Sequence, residues 1–163
     1  MTAGDTGFVI RKAQPSDLQE VMEINRQELP ENYSPDFFRD MLFEQGDYFF
    51  VATGGDRILG YVMCRKETDF SPFRDHFSLS PRGHVVSLAV RSSNRRAGIG
   101  RHLMEAAHDA MMRNGIKESY LEVRVDNAAA ISLYKNMGYE IRRTVSSYYM
   151  DGTDAHVMVL RLQ

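Results

Sequence analysis

A mixed α/β (α+β) sheet faced by helices is the fold class this sequence predicts, and three observations predict it. First, short β-branched runs alternate with amphipathic stretches in the order β-αα-βββ-α-β-α-ββ along 163 residues. Second, GHVVSLAV (Gly83 to Val90) is an apolar run that reads as a strand buried on both faces. Third, Gly54-Gly55-Asp56 and Asp151-Gly152 separate strand-like runs and mark hairpins. Residues 1–7 read as a frayed, disordered start and 8–163 as a single domain, a length that closes one core without staples.

The elements follow in order. FVIRKA (Phe8 to Ala13) is a short strand. Pro15 suits a helical first turn, and Leu18, Val21, Met22 and Leu29 keep helical spacing. Ser34-Pro35 opens a second helix with Phe37, Phe38, Met41 and Leu42 on one face. YFFVAT and RILGYVMCRKE form the hairpin arms, and Thr68 to Arg82, with two prolines and no period, reads as a mobile or functional loop. After the apolar strand, Ile99, Leu103, Ala106, Ala107 and Met111 make a helical stripe that Gly115 caps. SYLEVRV is a strand, AAAISLYKN a short helix stopped by Gly138, and YEIRRTVSSYY and AHVMVLRL the closing strands.

Composition narrows the function. Apolar residues at 43% and charged residues at 26% are an ordinary soluble mix. A net charge of -2 excludes a nucleic-acid binder held by bulk electrostatics, so any basic site is local. The lone Cys64 excludes an internal disulfide framework and fits a reducing cytoplasm. No apolar run approaches the ~18 residues of a membrane span, and the N-terminus lacks signal-peptide character.

The stretch NRRAGIG lies between the apolar strand and the long helix. Free N–H groups at a helix start suit an anion, glycines allow close approach, and Arg95, Arg96 and Arg101 add forked donors. A solvated basic turn is the plain alternative, and the loop alone leaves both open. Gly100 is followed by Arg101 and His102 where a P-loop needs Lys and Ser or Thr, and Leu103 stands at the third Rossmann glycine.

Arg95-x-x-Gly98-x-Gly100 after a strand, followed by LEVRVDNAAAISLYKNMGYE, resembles the acetyl-CoA half of the GNAT N-acetyltransferases. Spacing and order match from about Phe8 to the end of the chain. The resemblance implies the GNAT fold: seven mixed strands, about four helices, and splayed central strands forming an acetyl-CoA cleft. It implies that Leu88, Ala89 and Val90 lend backbone to the pantetheine arm. Arg95, Arg96, Ala97, Gly98, Ile99, Gly100 and Arg101 would hold the pyrophosphate, with Asn127 and Tyr134 nearer the sulfur. Asn127 is also a favourable helix N-cap, and the two roles are compatible.

Acetyl transfer needs a neutral amine. An α-amine (pKa ~7.7–8.0) is about 10% neutral near pH 7 and a lysine below ~0.1%, a difference of roughly 3.5 kcal/mol. Glu122, an acid in an apolar strand twelve residues before Tyr134, matches the base of bacterial ribosomal-protein alanine acetyltransferases of the rimI type; an ion pair is its structural alternative. Tyr134, protonated at neutral pH, can donate to a leaving thiolate, or simply pack as a core aromatic. His84 falls where some N-terminal acetyltransferases carry a catalytic tyrosine and can relay with Glu122, or is simply a satisfied polar residue. Those two make a poor dedicated metal site, and no metal is expected. Glu31 in LPENY is a fourth candidate or a solvated loop acid.

LPENY (Leu29 to Tyr33) and SSYYMDGTDAHVMVL resemble the peptide-gripping segments of ARD-type N-terminal acetyltransferases. On that resemblance Leu29, Tyr33, Tyr148 and Tyr149 line the site for the first residues of a protein N-terminus, nascent chains included. The last strand-like run ends close to Gln163, which points to a compact single-subunit enzyme as in archaeal relatives, with a monomer favoured. Rival readings are acetylation of a lysine or small amine, a non-catalytic acyl-CoA sensor, and a nucleotide-binding protein.

Overall fold

The computed structural model describes residues 7–68 and 80–163. Residues 1–6 and most of the unpatterned Thr68–Arg82 stretch lie outside the described residues. The strands are β1 (Val9–Lys12), β2 (Phe49–Gly54), β3 (Arg57–Glu67), β4 (Arg82–Val90), β5 (Glu118–Arg124), β6 (Glu140–Val145) and β7 (Ala155–Arg161). The helices are α1 (Leu18–Glu28), α2 (Pro35–Gln45), α3 (Ile99–Arg113) and α4 (Ala128–Asn136). The strands form one mixed sheet in the order β1-β2-β3-β4-β5-β7-β6, with β4 and β5 parallel. By compactness the chain divides into residues 1–65 with 86–110, and residues 66–85 with 111–163.

In the first unit, Val21, Ile24, Phe38, Phe49, Val51, Tyr61 and Met63 are fully buried together between α1, α2 and the sheet. The Ser34 hydroxyl accepts the Phe37 N–H (3.2 Å) and so starts α2, as the Ser-Pro signal predicts. Leu29 falls just past α1 in extended conformation, because the helix ends at Glu28 and the chain turns into LPENY.

Two expectations need correction. GHVVSLAV is not buried on both faces: Val86, Leu88 and Val90 are half-buried, while Ser87 and Ala89 between them are buried. Alternate residues of a strand face opposite sides, so the apolar run hides an ordinary two-sided pattern. The run YEIRRTVSSYY does not stay in strand to its end, because β6 stops at Val145. Ser147 adopts φ 50, and its N–H turns to the Asp154 carboxylate (2.8 Å), which breaks the ladder.

In the second unit, β5 pairs with β7 from Glu118↔Arg161 to Arg124↔Ala155, and β6 covers the outer edge of β7. Tyr139, fully buried, ties its hydroxyl to Ser119 Oγ at 2.8 Å. Gly83 leaves room for Met111: a Cβ there would lie 2.3 Å from the Met111 sulfur.

Candidate active site

The parallel register sets His84 of β4 beside Tyr120 of β5. Their rings stack with centroids 4.4 Å apart and an interplanar angle of 0°. Glu122 lies two residues beyond Tyr120 and therefore on the same face of β5. From its register position His84 reaches it diagonally: Nε2 meets Glu122 Oε2 at 2.7 Å. The other ring nitrogen, Nδ1, meets Glu67 Oε2 at 3.1 Å, and the Tyr120 hydroxyl donates to the second oxygen of Glu67. Arg82 lies over the Tyr120 ring (5.6 Å) and pairs with Glu118.

An ionised carboxylate only accepts, so a ring placed between two of them donates from both nitrogens and is an imidazolium. Burial, the largest single influence, disfavours that charge. The hydrogen bonds and charges of Glu122 and Glu67 together outweigh it and raise the His84 pKa above its ordinary value. The carboxylates grip opposite nitrogens, which suits a proton rather than a metal ion. Glu122 is thus brought together with His84, and its ion-pair alternative is present in the structure.

A group whose folded pKa is raised adds stability in full below its unfolded value and loses it as pH rises through the folded value. The stability difference between wild type and His84→Gln is therefore expected to be largest below about pH 6.5 and to shrink above it. Thermal melts across about pH 5 to 9 check this. A difference that does not vary with pH would overturn the charge assignment.

Tyr134 sits on α4, 8% exposed, with its ring edge-to-face against Tyr139 (centroids 5.7 Å). The Asn127 side chain accepts the Ala130 N–H (3.1 Å) and caps α4, and Gly138 (φ 101) ends the turn that follows. Capping is therefore one realised role of Asn127. The hairpin tyrosines are ordered from β5. Arg124 lies over the Tyr149 ring at 4.3 Å and pairs with Asp151 at 2.8 Å, while Tyr148 meets Tyr149 edge-to-face. The Asp151 pKa is lowered to about 2, first by the Thr153 N–H and then by Arg124.

The basic loop belongs to the first unit. Arg96 (φ 66) and Gly98 (φ 82) both take left-handed backbone, which glycine adopts freely and arginine does not. The Gly98 carbonyl accepts the His102 N–H (3.1 Å) and the His102 ring Nδ1–H (2.7 Å), so α3 begins at Ile99 with Gly100 in its first turn. Ala97 and Gly98 are exposed. Arg95 is shared with Glu28 (3.0 Å) and Arg101 with Glu105 (3.2 Å); each guanidinium keeps further donors. A helix start and three guanidinium groups form a donor set that fits a diphosphate. Behind it, a Cβ on Gly60 would sit 2.8 Å from the Ala89 carbonyl, so glycine lets β3 approach the Leu88–Val90 backbone closely. Arg91, buried, fixes the end of β4 by donating to the Ile58 carbonyl (2.8 Å).

LPENY is held from α1. Asn25, 1% exposed, donates to the Glu31 carbonyl (3.0 Å) and accepts the Tyr33 N–H (3.3 Å). The Tyr33 hydroxyl donates to the Val86 carbonyl of β4 (3.3 Å), and its ring stacks on Phe37. Sequence reading missed Glu67, Tyr120, Asn25, Tyr61, Ser87 and Arg124. The one available signal was Tyr120, two residues from Glu122 on the same strand face; the others act through contacts distant in sequence.

The sequence model of the Acetyltransferase (GNAT) family matches residues 18–139. An N-alpha-acetyltransferase of Sulfurisphaera tokodaii is 43% identical over 156 residues, covering 95% of this chain and 93% of that protein. Among solved structures, Ard1 from Thermoplasma volcanium superposes with a TM-score of 0.84 at 27% identity, covering 96% and 99% of the two chains. The NatC complex bound to Gag peptide and CoA contains a chain with the same TM-score, identity and coverage.

Proposed function

We propose, from the premise that the chain belongs to the GNAT acetyltransferase family, that it transfers acetyl from acetyl-CoA directly to the free α-amine of protein N-termini. Acetyl-CoA, when bound, supplies a thioester whose carbonyl carbon takes the amine and whose sulfur departs. The loop from Arg95 to Arg101 binds the diphosphate, and the backbone of Leu88, Ala89 and Val90 orients the pantetheine arm and the carbonyl. By the family resemblance, Asn127 would contact the pantetheine portion. Leu29, Tyr33, Tyr148 and Tyr149 bind the first residues of the peptide, tyrosine offering a rigid apolar wall with a polar tip.

The amine arrives mostly as ammonium and must lose a proton. Glu67, His84 and Glu122 carry one positive and two negative charges, a net -1, so the set takes up one proton and becomes neutral. Glu122 is the receiving group and His84 the relay, with Glu31 a second acid on the peptide side. Tyr134 supplies the proton taken by the departing sulfur and is restored by the second proton that the nitrogen loses as the amide forms. One observation carries this reading: in a chain 43% identical to an archaeal N-alpha-acetyltransferase, His84 is held between the carboxylates of Glu122 and Glu67 in one hydrogen-bonded set.

A single-subunit enzyme acting on finished or nascent chains in the cytoplasm is the setting we infer. It is supported by the 43% identity to an archaeal N-alpha-acetyltransferase and by the free, buried thiol of Cys64. Among the described residues no helix is long and apolar enough to cross a membrane. The test is mass spectrometry of products from a peptide library with defined first and second residues, beside polyamines and lysine peptides with blocked N-termini. Acetylation is expected on the α-amine, with lysine Nζ disfavoured by the ~3.5 kcal/mol deprotonation cost. Turnover of amines alone, or CoA binding without turnover, would overturn it.

A further inference from the structure

We propose that Asn25 is a positioning residue for the acceptor peptide, setting the LPENY backbone through a buried hydrogen-bonded chain with Tyr61 and Ser87. The inference rests on the N-terminal acetyltransferase reading and deepens its acceptor side.

Asn25 grips the loop on both sides of Asn32, at the Glu31 carbonyl and at the Tyr33 N–H. In the orientation its surroundings favour, the Asn32 amide adds bonds to the Asn25 carbonyl (3.0 Å) and the Leu29 carbonyl (3.2 Å). The same Asn25 Nδ2 donates to the Tyr61 hydroxyl (3.1 Å), which lies 2.7 Å from Ser87 Oγ. Burial raises the Tyr61 pKa to about 12, so the hydroxyl keeps its proton and is a donor available to Ser87. Ser87 itself is 6% exposed and follows Val86, whose carbonyl takes the Tyr33 hydroxyl.

A loop needing only stability could rest on an apolar residue, with no buried amide to satisfy. An amide has two chemically different ends. Here the carbonyl end faces a backbone N–H and the amino end a backbone carbonyl, so only one loop position satisfies both. Sliding the loop leaves buried donors and acceptors unpaired, and that is what fixes it. The chain ends on Val86 and Ser87, directly before the Leu88–Val90 backbone proposed for the acyl donor. One stretch of β4 thus carries the support for the acceptor loop and the donor strand.

Two variants test this with different side effects. Asn25→Asp keeps the acceptor for Tyr33 and loses the donors to Glu31 and Tyr61. Tyr61→Phe removes only the hydroxyl and keeps the ring in the core. Steady-state kinetics on an accepted N-terminal peptide are expected to show acceptor KM raised about tenfold in Asn25→Asp and about threefold in Tyr61→Phe, with acetyl-CoA KM within about twofold. Hydrogen exchange at the Tyr33 amide should speed up in Asn25→Asp, with the rest of α1 unchanged. Unchanged acceptor KM in both variants, or parallel rises in both KM values, would overturn the positioning role. Wild-type protein that acetylates no peptide would overturn the function instead, before any variant is compared.

Discussion

Glu122→Gln is expected to lower turnover of an N-terminal peptide by about 100-fold or more while leaving acetyl-CoA KM within about twofold. Glutamine keeps the shape of glutamate and still meets the His84 ring, so the fold should stand. What it loses is the ability to hold a proton. The pH dependence separates a base from a positioning group. An α-amine loses its own proton near pH 7.7–8.0, so the defect of Glu122→Gln should narrow as pH rises above about 8. Initial rates at saturating substrates, measured from about pH 6 to 9, give the answer. A defect of the same size at every pH would assign Glu122 to geometry, and an undiminished rate would remove it from the site. His84, now bridged by Glu122 and Glu67, would lose one of the two carboxylates that raise its pKa.

Tyr134→Phe is expected to lower turnover by about 30- to 100-fold with little change in the melting temperature. The ring is packed edge-to-face on Tyr139, and phenylalanine preserves that contact. The hydroxyl alone is removed. At neutral pH a phenol (pKa ~10) still holds a proton for a departing thiolate (thiol pKa ~8.5); the transfer is uphill by ~2 kcal/mol and is completed when the proton lost from the nitrogen restores the phenol. Peptide and acetyl-CoA KM should both stay close to wild type. A loss appearing in acetyl-CoA KM with turnover intact would make Tyr134 a binding residue rather than a proton donor.

Much of the candidate site was legible because it lies in continuous stretches. The basic loop, the N-cap at Asn127, the turn at Gly138 and the LPENY segment are local patterns, and local patterns write themselves into spacing. GHVVSLAV was misread for an equally local reason. Its seven apolar or small residues give no alternation, yet the strand faces two different surroundings and leaves Val86, Leu88 and Val90 half-buried. The end of YEIRRTVSSYY was misread because a serine at φ 50 leaves no compositional trace. Glu67 and Asn25 were passed over because their partners lie 17 and 36 residues away, at His84 and Tyr61.

The order of elements, the family resemblance, and the residue types available to bind a diphosphate, take a proton and give one are all legible along the chain. How those groups are wired is set by the fold in three dimensions. The register of β4 on β5 puts His84 against Tyr120 and within reach of Glu122, and the end of β3 adds Glu67 on the far nitrogen. The raised pKa of His84 follows from that placement and from nothing in its neighbours along the chain. Likewise the packing of α1, β3 and β4 turns Asn25, Tyr61 and Ser87 into one hydrogen-bonded chain. Hydrogen bonds and ion pairs depend on distance and direction in space, and a linear pattern carries neither.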